Sequence, residues 1–179
     1  MLGAAPGHDE SGIVPEGRGR CAETHAGFVM DSSGIDYVHV ERVDADVLAA
    51  FRRLLPQLSS SAAALTAEDL TSVISMPGTT VFIARERDGN RRIVGTLTLV
   101  TFRTPTGIRA WIEDVVVDEA ARGLGIGEAL TRTGIEMART LGVRTVELTS
   151  RPSREAANRL YQRIGFERRN TNLYRIDLG

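Results

Sequence analysis

Residues 115–127 read VVVDEAARGLGIG: three valines, a polar turn and then three alternating glycines. The valines end an apolar segment, residues 108–117, that is typical of a strand in the centre of a sheet. Apolar residues then recur at helical spacing, at Ile126, Leu130, Met137 and Leu141. A strand that leads through glycine into a helix gathers backbone N–H groups at the positive end of the helix dipole. The segment therefore predicts a loop that binds an anion, with pyrophosphate the natural ligand.

Two common phosphate loops do not fit this segment. A Walker loop needs Gly-Lys-Ser/Thr, and the chain has no lysine, since all 22 basic residues are arginine. A dinucleotide fingerprint needs G-x-G-x-x-G, but Glu128 stands three residues after Gly125, and Leu130 three after Gly127. A glycine-rich loop alone is equally consistent with a structural turn, so the neighbouring sequence has to decide between the two.

Periodicity outlines the rest of the fold. Three further helices are predicted, one capped by Asp44 and ending before Pro56, one opened by a capping box at Thr66 and Asp69, and one over residues 153–164. Strands are predicted over residues 37–40, 80–85, 92–102, 108–117 and 143–149, with short ones near Phe166 and over 173–176. The fold class is therefore α/β (α+β), a mixed sheet of six to seven strands flanked by about four helices.

Composition limits the domain count and the partners. A chain of 179 residues with 42% hydrophobic residues suits one domain, predicted over residues 35–179. Residues 1–34 hold seven glycines and no periodic pattern, and they are predicted to be a flexible tail. The net charge of −1 predicts no nucleic-acid partner, and the absence of about 18 consecutive apolar residues predicts no membrane span. The single cysteine, Cys21, allows no internal disulfide, so we expect a cytoplasmic protein without a metal site.

Two blocks resemble a known family. Residues 122–127, RGLGIG, resemble the Q/R-x-x-G-x-G/A signature of the GNAT superfamily of acetyl-CoA-dependent N-acetyltransferases. Residues 154–166, with Leu160-Tyr161 and then Gly165-Phe166, are similar to that family's second block, a helix-borne tyrosine before a Gly-Phe pair. Within the superfamily, Gln57-Leu58, residues 111–117 and the Tyr161 block look somewhat like the glucosamine-6-phosphate N-acetyltransferases. The resemblance covers about residues 36–179.

The resemblance implies how acetyl-CoA would bind as cosubstrate. The sheet would splay between strands four and five, so that the pantetheine arm pairs with the exposed backbone of Val115, Val116 and Val117. The pyrophosphate would lie on backbone N–H groups and beside one arginine, the residues concerned being Arg122, Gly123, Leu124, Gly125, Ile126, Gly127 and Glu128. The family often has an asparagine contacting CoA where this chain has Arg154. Asn158 is an alternative, although a solvated helix residue explains it equally well.

The resemblance also assigns catalytic roles. Tyr161, which alone would be read as a core tyrosine, would donate a proton to the departing CoA thiolate. Glu113 and Asp114 point to opposite faces of a regular strand, and we favour Glu113 as the base, acting through water because Thr149 stands where some members carry a glutamate base. Asp114 and Trp111 are expected to line the substrate site.

The predicted function is direct acetyl transfer from acetyl-CoA to a primary amine of a small molecule in a ternary complex. The alternatives are a non-catalytic acyl-CoA sensor or scaffold, and a protein N-terminal or lysine acetyltransferase. The acceptor amine is not readable from the sequence, because loops set it. Assembly as a homodimer stays open.

Overall fold

The structure is a computed structural model that describes residues 34–59 and 64–178. In chain order the elements are β1 (Ile35–His39), α1 (Ala45–Leu58), α2 (Ala67–Ser75), β2 (Thr79–Glu86), β3 (Ile93–Thr104), β4 (Gly107–Val117), a 3₁₀ turn (Glu119–Ala121), α3 (Ile126–Thr140), β5 (Val146–Leu148) and α4 (Glu155–Arg163). The predicted tail, residues 1–34, lies outside the described residues apart from Gly34. None of the described helices combines the length and the apolar character needed to span a bilayer.

The strands form one mixed sheet in the order β1-β2-β3-β4-β5. The first four are antiparallel neighbours, whereas β5 runs parallel to β4. The pairing of β4 with β5 covers only Ala110–Ile112, while β4 continues to Val117. β5 ends at Leu148, opposite Ile112, so residues 113–117 of β4 have no β5 partner. The splay of the two strands stays a prediction.

The predicted strand count is wrong for the described residues, which contain five strands and not six to seven. No strand forms near Phe166 or over residues 173–176, and β5 is shorter than the predicted 143–149. Period-two alternation gives a segment two different faces, but a strand also needs a backbone partner. The apolar residues of this segment, Leu173, Tyr174 and Ile176, are instead exposed.

The predicted end of α1 is also wrong, because the helix passes through Pro56 and ends at Leu58. A proline near the helix end removes one N–H group, and the helix still closes with the Ser59 N–H donating to the Leu55 carbonyl at 3.0 Å. The helix starts are as predicted. Asp44 Oδ1 accepts from the Val47 N–H at 2.8 Å, and Thr66 and Asp69 form the reciprocal capping box of α2.

Helices cover both faces of the sheet. On one face α3 packs against Leu97 and Ile112, and at Gly134 it comes so close that an added Cβ would lie 3.1 Å from Leu97 Cδ2. On the other face α1 and α2 bury Leu54 and Leu70. The end of β4 is therefore held between α1 on one side and α3 on the other, and the loop that follows it emerges between these helices.

Candidate active site

A β-bulge interrupts β4 just beyond the residues that pair with β5. Thr96 pairs with Val116 and Thr98 with Glu113, so that Leu97 faces two residues, Asp114 and Val115. Asp114 has a φ of 49°, in the left-handed region that non-glycine residues rarely adopt. A bulge bends its strand and leaves an extra residue outside the ladder. The side chains of β4 therefore alternate regularly between the two faces only up to the bulge, and regular alternation does not decide where Asp114 points.

A cavity of about 1160 Å³ opens beside this end of β4. Its walls are the end of α1, the bulged half of β4, the glycine loop (residues 118–125) with the start of α3, the residues after β5, and α4. Leu173 and Arg175, near the C-terminus, also line it. It brings together most of the predicted site residues, namely Glu113, Asp114, Val115, Val116, Val117, Arg122, Gly123, Gly125, Ile126, Gly127, Arg154 and Tyr161. Four others do not line it: Trp111, Leu124, Glu128 and Asn158.

The N-terminus of α3, which follows the glycine loop, has no side-chain cap, and we call it the helix mouth. Gly123 and Gly125 have φ values of 83° and 78°, and Gly125 caps α3 without any side-chain hydrogen bond. The N–H groups of Glu128 and Ala129 both donate to the Gly125 carbonyl, at 3.0 and 3.1 Å. Among the described residues, the N–H groups of residues 123–127 have no acceptor. Free N–H groups at a helix N-terminus favour an anion.

Glu128 and Arg122 form hydrogen bonds and ion pairs with other residues of the protein. The Glu128 N–H is used inside the helix, and its carboxylate accepts from Arg163 at 2.8 Å and from Arg132 at 2.9 Å. These two hydrogen bonds, that of Arg163 first, hold the pKa of Glu128 below its usual value. Arg122 donates from Nε to the Val117 carbonyl at 3.4 Å and pairs with Glu119 at 3.3 Å, so its guanidinium lies back against the end of β4. Their contact with a pyrophosphate stays a prediction.

Tyr161 lies on α4, half-buried, with its ring edge-on to Phe166 at a centroid distance of 5.8 Å. Burial raises the pKa of the Tyr161 phenol above its ordinary value, and the positive charge of Arg154 opposes this shift. The phenol is therefore protonated at neutral pH, as a proton donor must be.

Glu113 lines the cavity on the β4 side. Burial raises the pKa of its carboxyl, and the neighbouring charge of Asp114 raises it further, while the indole of Trp111 acts in the opposite direction. A carboxylate with a raised pKa is a stronger base than an ordinary glutamate. This property suits a group that removes a proton from an amine.

Arg154 and Asn158 make contacts within the protein. Arg154 Nη2 donates to the Leu58 carbonyl at 2.7 Å and so links the start of α4 to the end of α1. Asn158 Nδ2 donates to the Arg151 carbonyl at 3.0 Å. Arg154 remains a candidate CoA contact because it lines the cavity, whereas Asn158 steadies the turn before α4. Their proposed roles toward CoA stay predictions.

Sequence reasoning missed several residues of this region. Gln57, Leu58 and Ser59 reach the cavity because α1 continues past Pro56, where the sequence predicted its end. Asp118, between the valines and the glycines, is buried and its carboxylate binds Arg53 and Arg92. An acidic residue directly after an apolar strand was the available signal for Asp118. Within the described residues, no three His, Cys, Asp or Glu side chains are grouped as metal ligands.

Comparison with known proteins places these features in one family. Residues 47–166 match the profile of the Acetyltransferase (GNAT) family. An acetyltransferase of Trypanosoma brucei is 28% identical, with 80% of this chain and 99% of that one aligned and a TM-score of 0.66. Glucosamine-6-phosphate N-acetyltransferase from Arabidopsis thaliana has a TM-score of 0.66 with 19% identity, over 78% of this chain and 97% of that one, a likeness of fold alone.

A mycothiol acetyltransferase of Geodermatophilus obscurus shares a shorter segment with this chain. The two are 46% identical over 52 residues, which are 29% of this chain. The match spans only 17% of that protein's length. It therefore agrees with acetyl transfer and carries no information on the acceptor.

Proposed function

The chain belongs to the GNAT family of acetyltransferases, and on this premise we propose that it transfers the acetyl group of acetyl-CoA to a primary amine of a small molecule. The observation that carries the proposal is the end of β4 without a β5 partner, beside the uncapped N-terminus of α3, in one cavity that Glu113 and Tyr161 also line. The acceptor is left at the level of a primary amine.

The cavity walls suit two parts of a CoA molecule, the diphosphate and the pantetheine arm. The N–H groups of residues 123–127 suit its diphosphate, because they are without acceptors in the described structure and lie at the positive end of α3. Residues 115–117 have no β5 partner, so their backbone suits the amides of the pantetheine arm, which would add to the sheet as a peptide strand does.

The chemistry requires a base, a polarising donor and an acid. Glu113 takes a proton from the substrate ammonium through water, because an alkyl ammonium with a pKa of about 10 is not nucleophilic. A backbone N–H at the bulge, that of Val115 or Val116, polarises the thioester carbonyl. The amine nitrogen bonds to the carbonyl carbon, the carbon–sulfur bond breaks, and Tyr161 donates its proton to the sulfur. The nitrogen then loses its surplus proton, which returns the Tyr161 phenol to its protonated form. The step is direct and leaves no acetyl group on the protein.

A thiol-release assay with acetyl-CoA and a broad panel of primary amines tests the proposal. Amino sugars, polyamines, aminoglycosides, amino acids and peptides with free N-termini make up the panel. We expect CoA release that depends on one class of small amine. Binding of acetyl-CoA without release on any amine would contradict the proposal and favour a sensor or scaffold, and release on peptides alone would favour a protein acetyltransferase.

A further inference from the structure

Asp118 carries a buried carboxylate at the start of the glycine loop. Its side chain is 6% exposed, and its Oδ2 accepts from Arg53 and, at 2.7 Å, from Arg92 Nη2. Its Oδ1 accepts from the Ala120 N–H at 3.2 Å and so caps the 3₁₀ turn. Its own N–H donates to the Val94 carbonyl at 2.8 Å. The residue thus joins β4, β3 and α1 at one point.

The Asp118 carboxylate compensates the positive charges of Arg53 and Arg92. Arg53 is also held by the Ile93 carbonyl, which accepts from Nη2 at 2.6 Å. Burial lowers the pKa of Arg53, and the like charge of Arg92 lowers it further, while the negative charge of Glu86 acts in the opposite direction. The two cations therefore repel each other. Removal of the negative charge between them would leave two neighbouring guanidinium groups without their shared partner.

The glycine loop is held in position at its first residues, around Asp118. One turn after Arg53, Gln57 Oε1 accepts from the Glu119 N–H at 2.9 Å, a second bond from α1 to the loop. The Ala121 and Arg122 N–H groups donate within the turn, to the carbonyls of Asp118 and Glu119. From residue 123 to residue 127 such bonds are missing in the described structure. Glycines permit the loop geometry but do not hold it, because glycine has the widest conformational freedom.

We propose that Asp118, clamped by Arg53 and Arg92, is a positioning residue that holds the 123–127 N–H groups in the geometry that binds the CoA diphosphate. This inference rests on the proposed function. Asp118 does not line the cavity, so it would touch neither the diphosphate nor the reacting atoms. It acts through the loop, so it affects cosubstrate affinity and leaves the chemical step at saturation nearly unchanged.

The test compares Asp118→Asn with Asp36→Asn in the full-length protein. Asparagine keeps the shape and the Oδ1 acceptor of Asp118, but it removes the charge and replaces Oδ2, which accepts from both arginines, with an NH2 donor. Asp36 offers a matched control, because it pairs with Arg87 at 2.6 Å, is also largely buried and lies on β1, away from the cavity. Calorimetric titration with CoA gives the Kd, steady-state assays give KM for acetyl-CoA and kcat, and the thermal midpoint reports folding.

For Asp118→Asn we expect Kd and KM for the cosubstrate to rise roughly tenfold or more, the range that supporting residues reach at other preorganised sites, with kcat little changed. Asp36→Asn should bind CoA as the wild type does. Unchanged CoA affinity in Asp118→Asn, or an equal loss in Asp36→Asn, would overturn the positioning role. If Asp118→Asn does not fold, Arg92→Gln, whose native side chain is 44% exposed, replaces it with the same criteria. A wild type that binds no CoA would instead overturn the proposed function, and the positioning role would fall with it.

Discussion

At the scale of single residues, Glu113 is an exposed carboxylate whose pKa is nevertheless raised. Burial and the charge of Asp114 raise its pKa, so the folded protein holds the proton more tightly than the unfolded chain does. The stability from this proton is present at acidic pH and is lost as the pH rises through the raised pKa. At neutral pH the ionised Glu113 therefore destabilises the fold.

Replacement of Glu113 by glutamine should therefore raise the thermal midpoint near neutral pH, where the wild-type carboxylate is ionised. Well below a pH of about 4, the Glu113 carboxyl is protonated in both the folded and the unfolded chain, so the two proteins should have the same midpoint. The same variant should lose acetyl transfer at neutral pH. Thermal melts at the two pH values check the first part, with Glu41→Gln as a control on an exposed carboxylate. An unchanged midpoint at neutral pH would contradict the assigned environment, and retained activity would remove Glu113 from the mechanism.

Tyr161 is the second residue with a separate prediction. Loss of the phenolic proton in Tyr161→Phe should lower kcat by about 10²–10⁴-fold, the usual contribution of a general acid, with little change in KM for acetyl-CoA. Steady-state kinetics measure both parameters. Tyr174→Phe is the matched control, because Tyr174 is 85% exposed and should tolerate the change. Wild-type turnover in Tyr161→Phe would assign the tyrosine a packing role only.

At the scale of elements, the strand, loop and helix around residues 115–127 follow from the sequence. Apolar length predicts β4, helical spacing predicts α3, and two of the glycines that join them have positive φ, which explains why glycine stands there. The bulge at Asp114 does not follow, because aspartate is only enriched in the left-handed region and is also found in regular strands, so its presence does not locate a bulge. The course of α1 past Pro56 and the missing strands over residues 166–178 depend on neighbours that a local pattern does not contain.

The helix mouth has a matched pair of glycines for a test. Gly125 and Gly89 have φ values of 78° and 64°, and a Cβ at either would meet open space. Alanine at either site should destabilise the fold by about 1–2 kcal/mol through backbone strain alone. Only Gly125→Ala should also weaken CoA binding, because strain relief there moves the N–H groups. Urea unfolding and calorimetry with CoA separate the effects, and equal CoA affinity in the two variants would contradict the proposed role of the loop.

At the scale of the whole molecule, helices packed on both faces of the sheet fix the end of β4, from which the glycine loop leaves. Leu54 of α1 is fully buried on one face, so Leu54→Ala should cost about 2–5 kcal/mol of unfolding free energy. Urea unfolding followed by the fluorescence of Trp111 measures this loss. Leu124→Ala, at a side chain that is 64% exposed, should change the free energy little. A loss in Leu54→Ala no larger than that of Leu124→Ala would contradict the two-faced core.

The whole molecule also explains why part of the site is invisible in the sequence. Local motifs identified the glycine loop, Glu113 and Tyr161, and these residues line the cavity. Asp118 and Arg53 are 65 residues apart, and Arg154 and Leu58 are 96 apart, so only the folded chain brings them into contact. Local patterns report which elements form, whereas such contacts depend on how the elements pack.

The central claim is that the N–H groups of residues 123–127 bind the diphosphate of CoA. Calorimetric titration of the folded wild-type protein with CoA, and separately with pantetheine, which lacks the diphosphate and the adenosine 3′-phosphate attached to it, tests it most directly. The account predicts one CoA bound per chain and an affinity for pantetheine at least about tenfold lower, roughly 1.4 kcal/mol of binding free energy. No heat with CoA, or equal affinity for the two compounds, would contradict it.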